Sequence, residues 1–145
     1  MLEREISGGQ YVLIYMCWVL AMVLGFLALV SGRELLLTVL AVQQIDLKVV
    51  GLIDKLVFFV MGVIGLCIVV LSEGYLRTGA KKGQIVGRIG LVFGVELMAL
   101  FVFDLGRLLV PDVADAARPD VTQTVMSLVI GGLGLWVYWK RRIKK

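Results

Sequence analysis

Apolar residues fill four stretches of the chain, each about as long as a bilayer-crossing helix, and polar residues gather between them. A hydrocarbon core needs roughly 20 residues in helical form. The stretches 11–31, 52–72, 85–110 and 122–139 meet that length. The first is uncharged, and the second carries Asp54 and Lys55 near its start and no charge from Leu56 onward. The fourth closes on Trp136, Tyr138 and Trp139, amphipathic rings of the kind that settle at a membrane–water boundary. The pattern predicts an all-α polytopic membrane protein, a four-transmembrane-helix bundle forming a single integral membrane domain over 1–145.

The segment 33–50, RELLLTVLAVQQIDLKVV, fits this pattern least well. Its second half is crowded by Gln43, Gln44, Asp46 and Lys48, and each charge at a span's centre costs about 2.5–3.5 kcal/mol. It is therefore expected to be an interfacial helix between spans one and two; the alternative is that the first two helices simply extend beyond the bilayer. The leader MLEREISGGQ has one arginine against two glutamates, and no small-residue cleavage site follows the first apolar run, so that run is expected to be a retained helix. The ADAARPD stretch, with Pro111 before it and Pro119 inside it, reads as a loop.

Composition agrees with the periodicity: 60% of residues are hydrophobic and only two are proline. Charge adds direction. The 15 basic and 11 acidic residues leave a net +4, and the basic ones cluster beside apolar spans, which bears on threading rather than on nucleic acid. Arg77, Lys81 and Lys82 lie between spans two and three, and the tail 140–145 adds Lys140, Arg141, Arg142, Lys144 and Lys145. Between spans three and four the balance reverses, with Asp112, Asp115 and Asp120 against Arg118. An even number of spans puts both basic segments on one side, so both termini are expected to be cytoplasmic, in a cell (plasma or inner) membrane. Lys81, Lys82 and the tail residues then serve as topology anchors and as contacts for anionic lipid, at ~1 kcal/mol per basic residue near the surface.

Histidine is absent, which excludes His-ligated haem, His-based zinc or copper sites, and Ser-His or Cys-His pairs. Cys17 and Cys67 are too few for a four-thiolate site and form no CxxC motif. No catalytic residue, metal site or cofactor is expected, and the chain is not expected to be an enzyme.

Candidate chemistry concentrates in the third span, VFGVELMALFVFDLGRLLV over 92–110. At 100° per residue, Glu96 shares a face with Ile89, Val92, Leu100, Phe103 and Arg107, with Arg88 and Asp104 flanking it at the two ends. Gly87, Gly90 and Gly94 fall on the opposite side, where a G-x-x-x-G spacing lets a neighbouring backbone approach closely. Asp104 and Arg107 are spaced to pair locally, whereas Glu96 has no opposite charge within one turn. An intramembrane acid marks a proton relay, an ion path or a cationic-substrate site, and removing water from a carboxyl favours its neutral, proton-carrying form. The plainer reading is that a protonated Glu96 hydrogen-bonds to a serine, threonine or freed carbonyl on a neighbouring helix and serves packing. On the fourth span, Thr124, Ser127, Gly131 and Gly134 form a small, polar stripe suited to helix contact.

The chain is similar to small multidrug exporters in having four short spans and a membrane-embedded glutamate. Their glutamate belongs to the first span, which carries no charge here, so no residue role is carried across. The expected function is that of an interaction, accessory or scaffolding subunit, or a homo-oligomer assembled through the glycine-rich helix faces. The alternative is a minimal proton- or cation-coupled transporter or channel using Glu96.

Overall fold

In a computed structural model, which describes residues 8–110 and 119–143, the chain folds into four helices: α1 (Gly8–Val42), α2 (Leu47–Lys81), α3 (Ile85–Leu109) and α4 (Val121–Ile143). Each is long and apolar enough to cross a membrane, and together they form an all-helical bundle of membrane-spanning type. Residues 111–118, expected from the sequence to form a loop, and the tail residues Lys144 and Lys145 lie outside the described residues.

The interfacial helix expected over 33–50 is not a separate element. Residues 33–42 continue α1 and residues 47–50 open α2, so the two helices run 35 residues each, or about 52 Å at 1.5 Å per residue. That exceeds a hydrocarbon core of roughly 30 Å. Helix gives out at the polar residues 43–46, and on either side of this reversal Arg33 grips Asp54 through two parallel bonds of 2.7 and 2.8 Å, pinning α1 to α2. The reversal falls where Gln44 takes a left-handed φ of 52° and the Asp46 side chain accepts a hydrogen bond from the Lys48 amide at 2.9 Å, capping α2.

The other boundaries have equally local causes. At the end of α2, Gly83 adopts φ +66°, a conformation open to glycine, while the Gln84 amide returns to the Gly79 carbonyl at 2.8 Å. At the end of α3, Val110 precedes Pro111 and is extended, with φ −76° and ψ 122°, as the proline ring demands of the residue before it. Asp120 opens α4 by accepting from the Thr122 amide at 2.9 Å.

α3 lies at the centre of the bundle. It packs most extensively against α4, also against α1, and only lightly against α2, which is joined to the rest mainly through α1. α1 and α3 run parallel, since Gly25 lies against Glu96 and Leu35 against Gly106. Where α1 begins and α2 ends, Ile14, Leu76 and Ala80 form a buried cluster with Cys17, Trp18, Ile85, Ile89 and Val92 packed on it. Trp18 donates its indole N–H to the Val69 carbonyl at 3.0 Å, so this amphipathic ring is satisfied inside the bundle. Cys17 packs at this cluster whereas Cys67 is exposed on α2.

Candidate functional site: the two faces of the third helix

The face of α3 that carries glycine is occupied by α4. A methyl group added at Gly90 would lie 2.7 Å from the Gly134 carbonyl oxygen, and one at Gly134 would lie 2.7 Å from the Gly90 carbonyl oxygen. Gly94 faces Leu135, Gly131 faces the Met98 amide and the Gly94 carbonyl, and Gly87 sits beneath the Arg141 side chain. Backbones this close leave no room for a side chain and gain dispersion contact along their length. Thr124 and Ser127 are buried at the far end of α4. Their hydroxyls donate to carbonyls of their own chain segment, Asp120 at 3.1 Å and Thr124 at 2.8 Å, and neither bonds to Glu96.

The opposite face carries the ionisable groups and is turned to α1. Glu96 is buried and packs against Gly25 of α1, its Oε1 3.6 Å from where a Cβ would stand, an ordinary contact distance. Its Oε2 is buried and has no hydrogen-bond partner. Eight residues on, or about 12 Å along the axis, Asp104 is also buried; its Oδ1 accepts a short hydrogen bond from Ser31 of α1 and its Oδ2 has no partner. One turn further, Arg107 ion-pairs with Glu34 of α1 at 2.6 Å. Asp104 and Arg107, whose spacing suggested a local pair, each reach across to α1 instead, because the buried side of α3 here faces a parallel helix that offers its own hydroxyl and carboxylate.

A polar line therefore runs along the α1–α3 seam from the mid-span Glu96 to the Glu34–Arg107 pair, with the Arg33–Asp54 bridge beside it on the α1–α2 side. It is interrupted: Leu100, buried, lies on α3 between the two acids, and buried Ala28 occupies the corresponding stretch of α1. The acids are separated by a buried apolar block, so they are two stations and not a single paired-carboxylate site. Among the described residues, no group of three acids or thiols gathers closely enough to hold a metal ion.

The remaining candidates lie at the other end of the bundle. Arg88 turns away from Glu96 toward α2, donating from Nη1 to the Tyr75 carbonyl at 2.6 Å and lying 4.4 Å from the Tyr75 ring centroid. Lys140 stacks on Trp136 at 4.7 Å. Arg141 and Arg142 approach the start of α3. Sequence reasoning overlooked the α1 partners Gly25, Ser31 and Glu34, although Ala21, Gly25, Ala28 and Gly32 form a small-residue stripe at helical spacing that marks the contact face of α1.

Neither a protein-family model, nor a curated protein, nor a solved structure matches this chain.

Proposed function

We propose that the protein takes up and releases a proton or small cation at Glu96, as a minimal proton- or cation-coupled transporter or channel. The observation that carries this reading is the buried Glu96 Oε2 with no partner. A packing role calls for a hydroxyl or carbonyl within hydrogen-bond reach, and among the described residues Glu96 Oε2 meets none. A role in contacting another chain calls for exposure, and α1 covers the carboxyl at Gly25. An ionised carboxyl in hydrocarbon is costly unless a proton or cation meets its charge. The buried apolar block between Glu96 and Asp104 favours transfer gated by movement of α1 against α3 over a continuously open pore.

The reading is tested in proteoliposomes under an imposed pH gradient, with sodium and potassium varied in turn. Protein-dependent dissipation that disappears in Glu96→Gln supports it; wild-type liposomes indistinguishable from empty ones would sink it.

A second reading, as an interaction subunit or homo-oligomer, is favoured by α2, whose membrane-length portion is largely uncovered by the rest of the chain. The glycine faces first suggested as assembly surfaces are consumed within the chain by α3 and α4. Assembly would instead use α2, where Gly62 faces open space beside the exposed Phe58, Phe59 and Leu66. Native mass spectrometry of wild type against Gly62→Leu tests this, a shift in subunit number being the supporting result. In either reading the start of α1 and the end of α4 face the cytoplasm of a cell membrane, an orientation supported by Lys81, Lys82, Arg88, Lys140, Arg141 and Arg142 at that end.

A further inference from the structure

Where α2 ends, α3 begins and α4 ends, the bundle encloses a cleft of about 330 Å³ lined by Tyr75, Gln84, Arg88, Tyr138, Arg141 and Arg142. Three guanidinium groups border it, and among the described residues none has a carboxylate partner. Glu73, on the same end of α2, is engaged by Arg77 at 3.0 Å. Like charges gathered without counter-charge repel one another, so the arrangement gains when an anion enters.

Arg88 and Arg141 are also placed by packing, whereas Arg142 is exposed. Arg88 is held by the Tyr75 carbonyl and ring, and its shaft runs so close to Gly79 that a Cβ there would lie 2.5 Å from Cδ. The Arg141 shaft crosses Gly87, its Cδ 3.7 Å from where a Cβ would stand. The α2 carbonyls that would oppose an anion are already used: the amides of Lys82, Gly83 and Gln84 bond to Thr78, Ala80 and Gly79. The first-turn amides of α3 add the positive end of a helix dipole to the same side. Tyr75 and Tyr138, whose hydroxyls bond to each other, line the cleft and leave one phenolic donor between them, and Trp136 and Trp139 lie in the last turns of α4, amphipathic rings of the kind that settle at headgroup depth.

We infer that this cleft binds a phosphate-bearing anion, held by Arg88, Arg141 and Arg142 with the two tyrosines, and that the phosphodiester of an anionic phospholipid is the source its depth favours. Guanidinium groups suit this ligand because their paired N–H donors match phosphate oxygens in a bidentate manner. The site differs from general attraction of lipid to basic segments, since it predicts that particular arginines matter and neighbouring lysines do not.

The test uses the full chain in detergent, with native mass spectrometry measuring retention of short-chain phosphatidylglycerol against phosphatidylcholine, and pyrophosphate added in a separate arm. Phosphatidylglycerol is expected to be retained preferentially. The double variant Arg141→Gln, Arg142→Gln is expected to weaken it about tenfold or more, and the charge-matched Lys82→Gln, Lys140→Gln to change it less than about twofold. Arg88→Lys keeps the charge but loses the fork, and is expected to weaken binding several-fold; it decides the matter if the double arginine variant does not fold. Pyrophosphate that binds with the same arginine dependence and displaces the lipid upholds the site and assigns it to a soluble phosphate. Equal weakening by the arginine and lysine variants, or a wild type that retains neither anion, overturns the inference.

Discussion

Along the α3–α4 seam backbone meets backbone, with Gly90 and Gly134 so close that neither position has room for a methyl group. Along the α1–α3 seam side chains meet instead, and two buried acids each keep an oxygen without a partner. The two seams flank the same helix and are built from opposite materials. Close glycine packing leaves nothing to titrate and little freedom to move. An acid opposite Gly25, with no hydrogen bond to hold it, supplies both a group that can change charge and a contact that few interactions lock. The comparison teaches that α3 divides its labour by face: one side fixes the helix in the bundle, the other is left unsatisfied at some cost in stability, a trade expected of functional positions.

The largest effect is expected where the glycine seam is filled. Gly90→Leu drives a side chain against the Gly134 carbonyl. Overpacking costs about 1–3 kcal/mol even when side chains can give, and a backbone obstacle cannot, so the variant is expected at or above the top of that range. Its thermal midpoint in detergent should fall sharply, and a midpoint equal to wild type would mean that the two helices part easily. A smaller loss is expected at the polar end of the other seam. Asp104→Ala strands the Ser31 hydroxyl at a cost of about 1–3 kcal/mol, and adding Ser31→Ala should recover part of it because both partners are then gone. Melting the two single variants and the double gives the coupling directly; strict additivity would show that the bond contributes nothing. The smallest change is expected at Gly132, where an added Cβ meets nothing within 4 Å. Gly132→Ala should leave stability level or raise it by up to ~1 kcal/mol, since alanine is the better helix former, which makes it the control that separates glycine as such from glycine in the seam.

Much of this was legible from residue order. Spans of bilayer length, the two-faced third helix and the small stripe on the fourth follow from spacing alone, because helical periodicity fixes which residues share a face. The extent of α1 and α2 was harder, since Gln43, Gln44, Asp46 and Lys48 read as an interfacial segment when the Arg33–Asp54 bridge that supports the helices is not visible. The partners across each seam were harder still. Nothing in the spacing of Asp104 and Arg107 says that they prefer Ser31 and Glu34, seventy-odd residues away, to each other; that choice is made by the parallel docking of α1, a tertiary fact. Arg88 likewise flanks the Glu96 face by its angle, while its long side chain reaches Tyr75 on α2.

The division of α3 into a structural face and a working face is tested most directly by melting Glu96→Leu beside wild type. If Glu96 supports no fold-holding contact, replacing it with an apolar side chain of similar size removes an unsatisfied buried oxygen, and the thermal midpoint should stay level or rise. A fall as large as that of Asp104→Ala would contradict the account, because it would make Glu96 a structural residue like its neighbours on the other face.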